Sequence, residues 1–364
     1  MIKKKLLFTA YSLGLGGIEK ALVNLLNRLD YKKYDVTLIL EKKEGIFLEQ
    51  IPKEVKVVEY KISDNKIVIL RKIYNRLKLI KWQSQLKNKY DFSCSFCTYS
   101  IPGAYLALAA SSNKALWMHG NYYILYKEKM KDFLDGIMAK NFKNVVFVSH
   151  ENKRDVCSHY EGLDEKAIVC NNYIDGANIF EKAKDKVEYI REKNIPLFVN
   201  VGRHEEHQKR LSRIIEASAK LKKENYKFKI LFIGDGPDTD KYKEQVIKAK
   251  LSKNIIFLGR KSNPYPYYKM CDAVLLASDY EGFPVVFLEA MMMNKVILST
   301  KVSDWEELDG ENGLFCDFST EAVYKMMKQY LDNGFAIKKK FDYIEYNKDI
   351  DNKINDLIKG KASK

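Results

Sequence analysis

Apolar runs of strand length recur along the chain, and most are followed by a stretch with helical spacing. The run 5–10 opens as a strand, after which Ile18, Leu22, Leu25, Leu26 and Leu29 return every three or four positions. That spacing is the mark of a helix with one buried face. Runs at 34–40 and 55–60 predict two more strands, and 92–96, 115–119, 145–149 and 168–172 extend the series, with helical segments between them. From 173 to 196 the pattern turns charged and irregular. It restarts at Leu197-Phe-Val-Asn-Val-Gly-Arg203, with further strands at 229–233, 255–258, 273–277, 296–299 and 313–315. Helices are predicted at about 211–224, at 239–249, near 265–270 and over 285–293. Strands alternating with helices predict parallel sheets covered on both faces.

The expected organisation is therefore two similar α/β halves. The first covers 1–175 and the second 196–334, with a linker over 176–195. A polar helical tail, 335–364, is expected to pack back on the first half. In such pairs a ligand lies outside the carboxyl ends of the strands, here in the cleft between the halves.

Composition narrows the class. The chain has 364 residues, of which 46% are hydrophobic, enough to bury substantial cores. No apolar run approaches the ~20 residues of a membrane span. Met1-Ile-Lys-Lys-Lys-Leu-Leu-Phe-Thr-Ala10 has the charged-then-apolar order of a signal peptide. Gly14-Leu-Gly-Gly17 follows at once without a small-x-small cleavage site, so a first buried strand is the reading. The six cysteines are scattered, and Cys94-Ser-Phe-Cys97 lacks the second ligand pair that a zinc site needs. They read as reduced cysteines of a cytoplasmic protein.

Net charge changes the picture more. The excess of 63 basic over 48 acidic residues gives +15, which points to an anionic partner: nucleic acid, a membrane surface or a phosphorylated ligand. Nine Lys or Arg against one acid, Asp64, fall between Lys61 and Lys89. Ile69, Ile73, Leu77 and Ile80 recur there at helical spacing, with Arg71, Lys72, Lys78 and Lys81 between them and Trp82 near the end. Two readings stay open: a basic amphipathic helix on an anionic membrane, or a solvated helix whose apolar face packs on the sheet.

The candidate chemistry centres on Ser278-Asp-Tyr-Glu-Gly-Phe-Pro-Val-Val-Phe-Leu-Glu-Ala-Met-Met-Met293. Glu281 and Glu289 stand eight apart across a Gly-Phe-Pro turn, and Pro284 falls where a helix begins. The helix after it is apolar apart from Glu289, so that carboxylate is expected to be buried and to need a partner. Two arrangements fit: two carboxylates at an anion-attracting helix N-terminus, or a solvated loop glutamate with a core glutamate paired to lysine. Arg203 follows the first strand of the second half, and Lys209 precedes its helix. Cations beside a helix N-terminus suit a diphosphate, although two solvated surface cations would read the same way.

Taken together, Val201-Gly-Arg203 with Lys209, Gly234-Asp-Gly-Pro237, Phe257-Leu-Gly259 and Glu281-x7-Glu289 resemble the retaining glycosyltransferases of family 4, which have the GT-B fold. Gly16-Gly-Ile-Glu19, His119, Val148-Ser149 and Asn171-Asn-Tyr-Ile-Asp175 carry the resemblance into the first half, and it covers most of the chain. The relatives meant are those that build bacterial capsules and other surface polysaccharides. The resemblance implies two Rossmann-like domains facing across a cleft. It gives Arg203 and Lys209 the donor diphosphate, Glu289 the ribose hydroxyls and Glu281 the donor sugar. Gly282, Phe283, Pro284, Val285 and Val286 would lie against sugar and phosphate, and Gly259, Arg260 and Lys261 against the nucleobase. Gly16 and Gly17 would allow close approach of the first loop, and His119 would orient the sugar.

The substrates implied are a UDP- or other nucleoside-diphosphate sugar and a lipid-linked oligosaccharide. The enzyme would work on the inner face of the cell membrane, with no nucleic acid partner, no cofactor and no essential metal. Two departures touch the site. The usual Lys-Gly is here Lys209-Arg210, and Asn171-Asn172 replaces Asn-Gly. Asp238-Thr-Asp240 imitates a metal-binding D-x-D but opens a helix, and reads as capping. A sugar-nucleotide epimerase on the same fold and a basic nucleic-acid-binding protein are the alternatives. The second lacks zinc spacing, an RNA-recognition signature and a clear helix-turn-helix.

Overall fold

The structure is a computed structural model that describes residues 2–14 and 16–361. Met1 of the opening stretch, Leu15 of the glycine loop and the last three residues of the expected tail lie outside the described residues. The chain forms two units. One runs to Tyr173 and includes the residues from Glu345 onward; the other is Ile174–Ile344.

The first unit holds seven strands: β1 (Lys4–Ala10), β2 (Tyr34–Leu40), β3 (Lys56–Glu59), β4 (Phe92–Ser95), β5 (Lys114–Met118), β6 (Asn144–Phe147) and β7 (Ala167–Val169). They lie in the order 3-2-1-4-5-6-7, and every adjacent pair is parallel. The strands are apolar on both faces because helices cover both. Leu116 and Phe147 pack with Leu134 and Val156, while Leu7 and Ile39 pack with Leu106 and Ala110. The order reverses between β1 and β4, which creates a crevice at their carboxyl ends.

The second unit holds β8 (Leu197–Val201), β9 (Lys229–Ile233), β10 (Ile255–Gly259), β11 (Ala273–Leu275), β12 (Val296–Thr300) and β13 (Gly313–Cys316). The order 10-9-8-11-12-13 repeats the reversal, here between β8 and β11. Alternate residues of a strand point to opposite faces. Phe198, Phe232, Leu275 and Leu298 share one core with Ile214 and Met327, from the helices Leu211–Lys223 and Thr320–Asn333. Their neighbours Val199, Leu231, Val274 and Ile297 share the other with Tyr268 and Phe287. Each such side chain contributes about 1.5–3 kcal/mol on full burial.

Two boundaries differ from expectation. The segment taken as a linker contains the helix Gly176–Lys182, which begins the second unit. Asp175 Oδ1 caps it by accepting the Asn178 N–H at 3.3 Å, and a Cβ on Gly176 would stand 2.6 Å from Tyr343. The tail is divided: 335–344 remain with the second unit, and the helix Tyr343–Lys359 runs on into the first. There Ile350, Ile354, Leu357 and Ile358 are buried. Asp351 of that helix accepts from the Tyr173 hydroxyl at 2.7 Å and pairs with Arg28 at 2.5 Å.

Candidate active site

The loops after β8 and β11 meet at the reversal point of the second sheet. Lys209 Nζ donates to Glu281 Oε1 at 2.6 Å. Glu281 is only 7% exposed, which corrects the solvated-loop reading of that residue. Gln208 Nε2 donates to the carbonyl of Tyr280 at 3.1 Å, and the Asp279 N–H donates to the carbonyl of Gln208 at 2.8 Å. Two loops 72 residues apart in sequence are thereby locked in register.

Arg210 stands in the left-handed region at φ 48°, before the helix Leu211–Lys223. That backbone is why glycine suits the position after the lysine, since a side chain there costs roughly 1–2 kcal/mol. Its guanidinium is committed elsewhere: Nε donates to Asp279 at 2.6 Å, and Nη1 reaches Glu206 at 3.5 Å. The Asp279 hydrogen bond raises the Arg210 pKa. Arg213 holds the other oxygen of Asp279 at 2.5 Å. Arg203 remains 63% exposed and pairs with Glu205 on its own loop.

Glu289 is buried, at 9% exposure, on the helix Val285–Met292. One partner of its carboxylate is a tyrosine. Tyr268 donates its hydroxyl to Glu289 Oε2 at 2.7 Å. Burial, with the Glu289 carboxylate beside them, pushes the hydroxyls of both Tyr268 and Tyr265 up in pKa, so both stay protonated donors. Pro284 precedes the helix at φ −65°, and its carbonyl accepts from the Phe287 N–H at 2.9 Å. Ser303 fixes the turn by donating to the carbonyl of Gly282 at 2.8 Å. Phe283, Val285 and Val286 are half-buried around it.

The glycine turn after β9 has a steric cause. Gly234 has φ +145°, and a Cβ there would lie 1.8 Å from the carbonyl oxygen of Gly202. One on Gly236 would lie 2.2 Å from that of His204. Both allow the turn to close against the loop carrying Arg203. Asp238 does not use its side chain as a cap. Its Oδ2 accepts the N–H of Glu206 at 2.7 Å, and Asp240 pairs with Lys243 at 3.0 Å. Among the described residues no group of three or more His, Cys, Asp or Glu is placed to hold a metal ion. Gly259 turns left-handed at φ +67°, and after it Arg260 lies 3.6 Å from Asp235 while Lys261 is exposed.

In the first unit, Gly16 precedes the helix Gly17–Arg28, and a Cβ on it would meet the Glu19 carboxylate at 2.1 Å. Nothing lies within 4 Å of the Cβ position of Gly17. Glu19 accepts from the Tyr99 hydroxyl at 2.6 Å. His119 follows β5 and packs on Phe96 with ring centroids 4.6 Å apart. Burial lowers its pKa to about 3, and its shielded Nε2 has no hydrogen-bond partner. Glu41 was not singled out from sequence. It is buried at the end of β2, accepts from Ser100 Oγ at 2.5 Å and has its pKa raised by burial.

Two parallel sheets of seven and six strands in this order define the GT-B fold. Residues 181–350 match the family model described as glycosyl transferases group 1. It is 25% identical to the N-acetylgalactosamine-N,N'-diacetylbacillosaminyl-diphospho-undecaprenol 4-alpha-N-acetylgalactosaminyltransferase of Campylobacter jejuni, over 95% of this chain and 98% of that one. It is 30% identical to the capsular polysaccharide biosynthesis glycosyltransferase CapH of Staphylococcus aureus, over 47% of this chain and 48% of that one. Among solved structures, Anabaena Alr3699/HepE in complex with UDP and glucose aligns with a TM-score of 0.75 at 19% identity, covering 97% of this chain and 99% of the other.

Proposed function

We propose that the chain is a retaining glycosyltransferase that moves a sugar from a nucleoside-diphosphate donor to a lipid-linked glycan at the membrane surface, in the synthesis of a bacterial surface polysaccharide. The observation that carries this reading is the Lys209–Glu281 pair at the β8–β11 reversal, within the residues that match the group 1 model. A cation for the diphosphate and a carboxylate for sugar hydroxyls are held together where the fold places its ligands. Arg210, held by Asp279 and Glu206, leaves Lys209 as the second phosphate cation beside Arg203. Glu289, fixed by Tyr268, is assigned to the ribose. The turn 282–286 is assigned to sugar and phosphate, and Gly259, Arg260 and Lys261 to the base. Gly16, Gly17 and His119 keep the roles that the resemblance implies. The lipid-linked acceptor is supported by the diphospho-undecaprenol in the name of the Campylobacter relative.

The chemistry follows from charge. As the anomeric C–O bond breaks, negative charge grows on the leaving diphosphate and positive character on the anomeric carbon. Preorganised donors aimed at growing negative charge contribute about 3–4 kcal/mol each in the oxyanion hole of a serine protease, and the same kind of effect acts here. The acceptor oxygen enters from the face the phosphate leaves, and the phosphate takes its proton. Glu281 positions the sugar and is not a nucleophile, and Arg203 and Lys209 supply the charge without an essential metal. Calorimetric titration with a panel of nucleotide sugars tests the donor site: one should bind with micromolar affinity, and binding by none contradicts it. Product analysis without acceptor separates transfer from epimerisation, since only an epimerase converts the donor alone.

A further inference from the structure

The helix Val68–Leu86 carries two apolar faces. Leu79, Trp82 and Leu86 form the inner one, packed with Tyr60, Leu106 and Ala110, and Trp82 meets Tyr60 edge-on at 5.2 Å. Ile69, Leu70, Ile73, Leu77 and Ile80 form the other, each between 51% and 69% exposed. At ~100° per residue these five fall within an arc of about 100°, opposite the packed side. The stripe does not cover the sheet, as one sequence reading required. Single exposed apolar residues are ordinary, but a stripe running three turns is a contact surface.

Charge selects what it contacts. Lys72 and Arg76 flank the stripe on one side and Lys81 on the other, within a segment that has nine basic residues and one acid. Tyr74, 55% exposed, stands at its edge. An apolar stripe between basic flanks with an aromatic at the border is the composition of a helix lying in the interface of an anionic bilayer. A second copy fits poorly, because a two-fold contact would bring two such basic segments together. Nucleic acid would use the basic flanks and leave the stripe uncovered.

Because the strands are parallel, this helix starts at the carboxyl end of β3, the end of the sheet where Gly17 follows β1 and His119 follows β5. We propose that the outer face of Val68–Leu86 docks on an anionic lipid surface and lays this side of the first unit along the membrane, with the helix start bringing the carboxyl end of β3 to that surface. The docking stands on the helix alone; its use in presenting a lipid-linked acceptor rests on the function proposed above.

Co-sedimentation of the full chain with vesicles tests this, using phosphatidylcholine alone or with roughly one-third phosphatidylglycerol. The wild type is expected to bind the anionic vesicles at least about tenfold more tightly. Ile73→Ser with Leu77→Ser should weaken that binding by about tenfold or more. Both positions are exposed, so the melting temperature should hold. Lys72→Gln with Arg76→Gln should remove the preference for anionic lipid. No binding by the wild type, or equal binding by the serine variant, overturns the proposal. So does a concentration-dependent dimer that the serine variant abolishes, or tighter binding to duplex DNA than to vesicles. Vesicle binding without sugar transfer leaves the docking standing and removes the function; transfer without vesicle binding does the reverse.

Discussion

Lys209 Nζ and Glu281 Oε1, 2.6 Å apart, join the loops of two adjacent strands across the reversal point of the second sheet. Each satisfies the other's charge in this pair. In the proposed reaction the diphosphate takes the lysine and the sugar takes the glutamate. Lys209→Ala should therefore lower kcat/KM by about 10²- to 10³-fold. It should also destabilise the chain by about 1–3 kcal/mol, because Glu281 is left buried without its cation. Steady-state kinetics and thermal unfolding of the variant check both effects.

Glu281 and Glu289 are expected to fail differently. Glu289 is held by Tyr268, and its proposed partner, the ribose, does not react. Glu289→Ala should raise the donor KM with little change in kcat. Glu281→Ala should lower kcat as well, because the sugar it positions changes charge in the transition state. Wild-type activity in both variants would remove this stretch from the site.

The elements legible in the sequence were those with local signals. The strand Lys229–Ile233 is an apolar run that ends at Gly234, and the helix Tyr265–Met270 begins directly after Pro264. What the sequence hid was set by distant partners. Glu41 and Ser100 are 59 residues apart, and Arg210 and Asp279 are 69 apart, with no local pattern linking either pair. Asp238 stood at a helix start, where acids cap, but the Glu206 N–H 32 residues away claims its side chain. The helix Gly176–Lys182 opens on glycine and shows little periodicity, so it resembled a linker. In Val68–Leu86 the spacing of the isoleucines predicted a helix without telling which of its two apolar faces is packed.

Gly234→Ala should destabilise the second unit by about 2–4 kcal/mol through strain and collision with the Gly202 carbonyl. Gly17→Ala, at the start of a helix where the added methyl meets open space, should be neutral or stabilise by up to about 1 kcal/mol. Urea unfolding of the two variants gives the comparison.

His119 should make stability depend on pH. Burial lowers its folded pKa to about 3 from an ordinary 6.5, so between those values the unfolded chain binds the extra proton. Its contribution is present above pH 6.5 and is lost as pH falls toward 3. Urea midpoints at pH 7 and pH 5 should differ less for His119→Gln than for the wild type. Equal differences would contradict the neutral, shielded imidazole.

The most direct test of the central claim is transfer itself. Wild type and Lys209→Ala are incubated with radiolabelled nucleotide sugars and a bacterial membrane lipid extract. The wild type should place label in the lipid fraction from one donor, in an α linkage when that donor is α-linked, and the variant should not. Absence of labelled lipid from every common donor with folded wild-type protein, or full transfer by Lys209→Ala, would contradict the account.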